Sequence, residues 1–194
     1  MTDSTSGRAP AFAAPPSGFR HVRDDLVHQG AVVGFFDGWF EGPGGEQVRR
    51  DVVRHPGAVS AVAIEDDSIF LVRQYRAPID RDLWEVPAGK LDVDGEPPET
   101  AIVRELAEEI GRTPGSLELL LRFHHSPGFC DELQYIYLAT DLTEVPRQGD
   151  GLEEQHMLIE KVPFAQAIDM ALDGTITDGK SIAAVLAAAR RLGH

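Results

Sequence analysis

The chain has 194 residues, a formal net charge of −14 and a sequence pI of about 4.8. A chain this acidic lacks the basic surface that nucleic acids and anionic membranes require, so both are excluded as partners. The length suits a single domain that buries about 70% of its unfolded surface. The one cysteine, Cys130, has no partner for an intramolecular disulfide, which favours a reducing compartment and predicts a cytoplasmic protein.

The N-terminal part of the chain divides into a tail and a small β region. Residues 1–17 are rich in Pro, Ala, Ser and Gly, lack the features of a signal peptide, and are predicted to be disordered. In residues 18–57, apolar runs flank Gly-Pro-Gly-Gly at 42–45, which predicts a hairpin. We therefore expect a small antiparallel sheet before the main domain.

The main domain, residues 58–194, mixes strands and helices. Two apolar runs, 58–64 and 69–75, flank a polar turn and predict a hairpin in the core sheet. The remaining predicted elements are strands at 117–123, 133–139 and 157–162, and helices at 164–172 and 180–192, with Asp178 as N-cap of the last. This order predicts an α+β fold, arranged as an αβα sandwich.

A further helix is predicted at residues 99–110, after two prolines that suit only a helix start. It carries Glu105, Glu108 and Glu109, and residues three and four apart share one helical face. Like charges on one face repel each other, whereas a divalent cation turns the same arrangement into a set of ligands. The alternative is an ordinary solvated acidic face. We interpret the cluster as a metal site.

The spacing of this stretch resembles a family signature. Residues 89–111 follow the pattern G-x6-E-x7-R-E-L-x-E-E-x-G, which is similar to the signature of the Nudix hydrolases, enzymes that cleave nucleoside diphosphates linked to another group. The family pattern has five residues between its first glycine and first glutamate, and an apolar residue where this chain has Arg112. Both departures lie at the edges of the motif.

Other segments resemble one branch of that family, the ADP-ribose pyrophosphatases. They are Gln-Tyr-Arg at 74–76, Trp-Glu-Val-Pro-Ala-Gly at 84–89 and Ser-Pro-Gly-Phe at 126–129, where Pro127 lies sixteen residues beyond Gly111. The resemblance covers residues 18–192 and implies a Nudix αβα sandwich with a mixed β-sheet. It also implies a homodimer in which the region 18–57 crosses to the other subunit.

The resemblance implies a catalytic Mg²⁺ site, with Mn²⁺ as an alternative metal. Glu105 and Glu109 are the implied ligands together with the carbonyl of Ala88, and Glu108 is a further ligand or a neighbour of the ligands. Arg104 is expected to orient these carboxylates through hydrogen bonds. Glu96 is expected to cap the helix and to link to Arg104; this is a supporting role.

The general base of this branch comes from a loop after the motif. The loop 147–155 offers Asp150, Glu153 and Glu154; we predict Glu154 as the base, with Glu153 as the alternative.

Substrate-binding residues follow from the same resemblance. They are Arg76 for the pyrophosphate or ribose, Arg49 or Arg50 reaching across a dimer, and Glu132 for the terminal ribose. A guanidinium fork suits such an anion. For Arg49, Arg50 and Glu132, solvated surface side chains are the alternative.

The expected function is Mg²⁺-dependent hydrolysis of ADP-ribose to AMP and ribose 5-phosphate. Two alternatives remain open at this stage. One is the same chemistry on another nucleoside diphosphate sugar or a dinucleotide, because selectivity depends on pocket contacts outside the motif. The other is a non-catalytic module that binds ADP-ribose, although such a module is expected to lose motif carboxylates that this chain retains.

Overall fold

The structure is a computed structural model that describes residues 17–147 and 156–194. The described strands are β1 (Arg20–Gln29), β2 (Gly34–Glu41), β3 (Gln47–Arg54), β4 (Ala58–Glu65), β5 (Ser68–Arg76), β6 (Arg81–Glu85), β7 (Ala88–Lys90), β8 (Arg112–His124), β9 (Leu133–Glu144) and β10 (Leu158–Pro163). The described helices are α1 (Pro98–Ile110), α2 (Phe164–Leu172) and α3 (Gly179–Leu192), with a 3₁₀ turn at Ala77–Ile79. None of the described helices is long and apolar enough to cross a membrane.

The chain forms two compact units, one ending at Val53 and one starting at Arg54. The first unit is a three-stranded sheet in the order β1-β2-β3. The hairpin predicted at 42–45 joins β2 to β3, and the Gly42 N–H donates to the carbonyl of Glu46 at 2.8 Å. Strand β1 was not predicted, because its sequence is mostly polar and lacks apolar alternation; pairing with β2 makes it a strand although nearly all its residues are exposed.

The second unit is built on a mixed sheet. Its strand order is β10-β5-β4-β9-β8, with β6 added beside β5 and β7 beside β4. Strands β4 and β9 run parallel, whereas β5 and β7 are antiparallel to β4. The predicted core hairpin is confirmed as β4 and β5, joined by a turn in which Asp66 and Asp67 both have positive φ.

Both faces of this sheet are covered by helices. Successive side chains of a strand point to opposite faces, and the central strands are apolar in both directions. One face packs against α2 and α3 through a cluster that includes Val62, Ile69, Leu71, Ile136 and Leu138. The other packs against α1 through a cluster that includes Val59, Ala61, Phe70, Val72 and Tyr137. The α+β prediction of a helix–sheet–helix sandwich is therefore confirmed.

Helix α1 begins one residue before the predicted start, and its cap differs from the prediction. The N-cap is Pro97, with no side-chain hydrogen bond to the helix, so the expectation that Glu96 caps the helix was wrong. Because Pro98 has no N–H, the first turn has fewer unpaired donors to satisfy. The Glu96 carboxylate pairs with Arg104, so the expected link between these two residues is confirmed. Gly111, at φ 63°, closes the helix.

Helix α3 has the predicted cap. The side chain of Asp178 accepts a hydrogen bond from the Ser181 N–H at 2.9 Å, in the usual N-cap arrangement. Residues in the first turn of α3 are buried, among them Lys180 and Ser181. The start of this helix therefore lies inside the unit, next to the end of β6, where the Val86 N–H donates to Ser181 Oγ at 2.9 Å.

Candidate active site

The loop between β6 and β7 brings backbone and carboxylate groups together. The Ala88 N–H donates to Glu109 Oε2 at 3.0 Å, which ties the loop to α1. A Cβ added at Gly89 would overlap the carboxylate of Glu105. The residue at position 89 must therefore be glycine if Glu105 is to keep this place.

Glu109 is a buried carboxyl group with a 6% exposed surface. Burial, together with the neighbouring charge of Glu105, raises its pKa to about 8, although the Ala88 N–H, Lys180 and Arg76 oppose the shift. The charged form of Glu109 is thus disfavoured in the protein alone. A bound cation would favour it.

Arg104 donates hydrogen bonds to three carboxylates, one before α1 and two on α1. Its Nε and Nη2 donate to the two oxygens of Glu96 at 3.1 and 3.0 Å, and its Nη1 donates to Glu105 at 2.8 Å and to Glu108 at 3.0 Å. The hydrogen bond to Glu96 is the largest cause of its raised pKa, so the guanidinium stays charged. These contacts are those expected of a residue that orients carboxylates; the role itself stays a prediction.

A cavity of about 760 Å³ opens over these groups. Seven carboxylates line it, against four cationic side chains. The acids are Glu85, Asp92, Glu105, Glu108, Glu109, Glu132 and Asp178, and the cations are Arg76, Lys90, Arg104 and Lys180. An excess of negative charge is a poor receptor for a pyrophosphate by itself, so binding such an anion here requires added positive charge.

The residues present fit a divalent metal ion. Among residues 17–147 and 156–194, no three His, Cys, Asp or Glu side chains are already grouped so that they could hold a metal ion. Arg104 donates hydrogen bonds to two of the α1 carboxylates, Glu105 and Glu108. Hard oxygen donors are nevertheless the ligands that Mg²⁺ prefers. The space that Gly89 leaves for Glu105 and the raised pKa of the buried Glu109 both suit a cation at this place.

Most of the predicted site residues meet at this cavity. Arg76, Ala88 and Glu132 line it together with the α1 carboxylates. Asp150, Glu153 and Glu154, the candidates for general base, lie outside the described residues, so that prediction is not addressed.

The two arginines proposed to reach across a dimer belong to β3 in the N-terminal unit. There Arg49 pairs with Asp37 at 3.1 Å, and Arg50 donates to the Arg49 carbonyl at 2.8 Å. Their part in substrate binding stays a prediction.

The comparisons with known proteins decide the family. The model of the NUDIX domain matches residues 54–185. The chain belongs to the Nudix family. It is similar to the ADP-ribose pyrophosphatase of Mycobacterium tuberculosis, with 42% identity over 170 residues, 87% of this chain and 82% of that protein. It is also similar to the ADP-ribose pyrophosphatase of Bacillus subtilis, with 33% identity over 165 residues, 84% of this chain and 89% of that protein.

The architecture agrees with that of a solved structure. A crystal structure of an ADP compounds hydrolase superposes with a TM-score of 0.76 over 90% of this chain and 94% of that chain, at 24% identity. Identity this low supports the fold alone. The strand order and the three helices described above are thus those of a Nudix domain.

The sequence alone missed a second group of charged residues in this Nudix cavity. Arg76 Nε and Nη2 donate to the two oxygens of Glu85, each at 2.6 Å, and Glu85 is fully buried. Lys180 Nζ donates to Glu85 as well, and to Asp178 at 2.9 Å. Glu85 lies within the Trp-Glu-Val-Pro-Ala-Gly segment, which pointed to the place, but no sequence pattern marked Lys180, which precedes an alanine-rich stretch.

The sequence alone also missed a chain of hydrogen bonds on another side of the cavity. Gln134 Nε2 donates to Ser60 Oγ at 3.1 Å and to the Tyr135 carbonyl at 3.2 Å, so its amide oxygen faces His125 Nε2, 3.2 Å away. Because that oxygen can only accept, His125 must carry a proton on Nε2. The Oε1 atom of Glu132 lies 4.0 Å from the same nitrogen. Two adjacent histidines in a loop offered no signal of this arrangement.

Proposed function

We propose that the chain hydrolyses the pyrophosphate bond of ADP-ribose to AMP and ribose 5-phosphate. The observation that carries the proposal is the cavity, which brings the α1 carboxylates of the Nudix motif together with Arg76 and Glu132. The similarity to two ADP-ribose pyrophosphatases over more than four fifths of each chain supports the choice of substrate.

The proposed cofactor is Mg²⁺, with Mn²⁺ as an alternative. Glu105, Glu109 and the carbonyl of Ala88 would hold it, with Glu108 as a further ligand or a neighbour. When bound, the metal supplies a nucleophilic water near neutral pH and relieves charge on the phosphoryl oxygens. In this proposal, Arg104 keeps the carboxylates oriented through its bonds to Glu105 and Glu108.

Other side chains of the protein bind the substrate and move a proton. The Arg76 guanidinium, partly exposed at the cavity, binds the pyrophosphate oxygens through its remaining N–H groups. The carboxylate of Glu132 accepts a hydrogen bond from a hydroxyl of the terminal ribose. Glu154, or else Glu153, removes the proton of the attacking water. Arg49 or Arg50 of a second subunit contributes to the same anion.

The proposed assembly is a homodimer in the cytoplasm. The N-terminal sheet supports this, because Leu26 and Val27 on β1 are 58% and 54% exposed, so apolar side chains of this strand are left uncovered in the single chain. Light scattering is expected to give twice the chain mass of 21.2 kDa. A mass equal to one chain at assay concentrations would rule the dimer out.

The substrate is tested by detecting the nucleoside monophosphate released from ADP-ribose, ADP-glucose, NADH, GDP-mannose and dATP, with Mg²⁺ and with EDTA. We expect AMP chiefly from ADP-ribose, none with EDTA and almost none from Glu109→Gln. The matched control is Glu118→Gln, which removes a carboxylate from an exposed ion pair with Arg191 and is expected to keep wild-type activity. Preferred cleavage of another compound would replace the substrate, and tight binding without cleavage would indicate a sensor.

The general base is tested by comparing Glu154→Gln and Glu153→Gln at saturating Mg²⁺. The variant of the true base loses most of its kcat, whereas the other keeps it. If Glu154→Gln retains most of kcat and Glu153→Gln does not, the base is Glu153.

A further inference from the structure

A buried carboxylate stands directly behind the arginine proposed to bind the substrate. The side chain of Glu85 is 1% exposed, whereas that of Arg76 is 38% exposed. Both oxygens of Glu85 accept from the same guanidinium, at 2.6 Å each. A bidentate pair of this kind determines the plane of the guanidinium as well as its position. Glu85 therefore determines which N–H groups of Arg76 face the cavity.

A buried lysine contacts the same carboxylate from the opposite end of the chain. Lys180 is the second residue of α3, its side chain is 9% exposed, and its Nζ donates to Glu85 Oε2. A cation in the first turn of a helix is disfavoured by the helix dipole, and a buried cation is disfavoured by desolvation. Helix formation alone thus gives no reason for a lysine here.

The lysine is itself held in place by the cap of its helix. Asp178 Oδ2 accepts from Lys180 Nζ at 2.9 Å, from the Ser181 N–H at 2.9 Å and from Ser181 Oγ at 2.5 Å. Ser181 Oγ in turn accepts from the Val86 N–H, next to Glu85. The start of α3 and the end of β6 are therefore linked at the point where Glu85 meets Arg76.

This group of four charged residues, Arg76, Glu85, Asp178 and Lys180, has two cations and two carboxylates. It is balanced within itself, unlike the cavity as a whole. If Lys180 were absent, Arg76 would be the one charged partner left to Glu85 within residues 17–147 and 156–194, and this single ion pair could shift as one unit. Contact with Lys180 anchors the carboxylate to α3, so that the guanidinium has one orientation before any ligand arrives.

We propose that Lys180, acting through Glu85, is a positioning residue for Arg76. This inference rests on the proposed function, because Arg76 is taken as the group that binds the pyrophosphate. Lys180 itself makes no bond to the substrate in this scheme. Its contribution is preorganisation: the guanidinium does not need to be oriented when the anion binds.

The test is a double-mutant cycle with Arg76→Gln and Lys180→Met, assayed for KM and kcat on ADP-ribose with Mg²⁺. Each single variant is expected to raise KM by about tenfold, the effect of weakening a hydrogen bond to a charged group, with little change in kcat. Because Lys180 acts through Arg76, the double variant is expected to stay within about twofold of the weaker-binding single variant. Lys161→Met, which removes an exposed lysine from an ion pair, is the control and should leave KM unchanged.

Two results would overturn the proposal. Losses that multiply in the double variant would mean that Lys180 acts independently of Arg76, for example as a direct ligand. A lower melting temperature with unchanged KM would mean that Lys180 only stabilises the fold. If Lys180→Met does not fold, Lys180→Gln, which keeps a donor of similar length, takes its place in the cycle.

The choice of ligand keeps this test separate from that of the function. If the wild type prefers another compound of the panel, the cycle is run on that compound, so the substrate can be wrong while the positioning role is right. If the wild type cleaves none of them, dissociation constants for ADP-ribose from calorimetry replace KM. A wild type that neither cleaves nor binds any of the compounds contradicts both proposals.

Discussion

Two groups of charged residues line the same cavity and differ in their balance of charge. The acidic cluster, defined as Arg104, Glu105, Glu108 and Glu109, has three carboxylates and one guanidinium. The balanced cluster, defined as Arg76, Glu85, Asp178 and Lys180, has two cationic side chains and two carboxylates. Burial does not explain the difference, because each cluster contains a carboxylate that is almost fully buried, Glu109 in one and Glu85 in the other.

The comparison indicates which of the two clusters requires a bound cation. Glu85 accepts from two cations, whereas Glu109 accepts from one backbone N–H and has a pKa raised to about 8. A buried charge with good partners can be kept by the protein alone, but one without them calls for a cation. The balanced cluster is therefore fitted to hold Arg76, and the acidic cluster is fitted to take up metal.

The largest expected effect comes from neutralising the acidic cluster. Glu109→Gln should lower kcat on the order of 10³-fold, as when an electrostatic group that stabilises a transition state is lost. In EDTA near pH 7 the variant should melt at a higher temperature than the wild type, because its folding no longer requires a proton to be taken up by a buried carboxyl group whose pKa is raised to about 8. Adding Mg²⁺ should raise the melting temperature of the wild type and leave that of the variant nearly unchanged. An equal Mg²⁺ shift in both proteins would contradict the assigned ligand.

Neutralising the balanced cluster should cost stability instead. Glu85→Gln leaves Arg76 and Lys180 facing an amide, and we expect it to lower the free energy of unfolding by about 3 kcal/mol, measured by urea denaturation. Glu85→Leu combined with Lys180→Met should recover most of this loss, since apolar groups can replace a buried pair. A loss below about 1 kcal/mol in Glu85→Gln would show that the balance of charge in this cluster matters little.

Gly89→Ala separates the geometry of the acidic cluster from its charge. The added Cβ would occupy the place of the Glu105 carboxylate, which must rotate away. We expect kcat to fall by about 10² because a displaced ligand is misaligned, with only a small change in melting temperature, since a side chain rather than backbone must move. Gly179→Ala, where an added Cβ meets nothing within 4 Å, should retain activity.

The charge of Asp178 should contribute to stability in a pH-dependent way. Burial works to raise its pKa, but Lys180 and Ser181 outweigh burial and the net pKa is lowered. A lowered folded pKa stabilises the protein above the unfolded value, about 3.9, and this contribution is lost as the pH falls through the folded value. Asp178→Asn keeps a cap acceptor, so it should cost about 1 to 2 kcal/mol at pH 7 and progressively less below pH 4. A difference independent of pH would contradict this assignment.

The smallest effect is expected from an ion pair of similar geometry at the surface. Lys161 donates to Glu65 at 2.8 Å and to Asp66 at 3.0 Å, and its side chain is 33% exposed. Because water screens such pairs, Lys161→Met should change the melting temperature by less than about 2 °C, and added salt should remove even that. If Lys161→Met lowered the melting temperature as much as Glu85→Gln does, burial would not explain the difference in stability between the two ion pairs.

Elements with a strong local pattern were predictable from the sequence. Helix α1, the core hairpin and the Asp178 cap each depend on a few neighbouring residues, and each was found where expected. Strand β1 was not, because its residues are mostly polar and it is a strand only through its pairing with β2. For Glu96, the expected link to Arg104 was found, but the expected cap was not, because the N-cap is Pro97.

The sequence by itself determined the acidic face of α1, because helical periodicity places residues three and four apart on one side without help from the rest of the chain. It also indicated the Nudix family, through the resemblance of residues 89–111 to the family signature. Only the tertiary structure brings together the four residues of the balanced cluster. Glu85 and Lys180 are separated by 95 positions, and they meet because α3 packs on the sheet beside the end of β6. A contact of this kind depends on how the elements pack, which no local pattern of residues records.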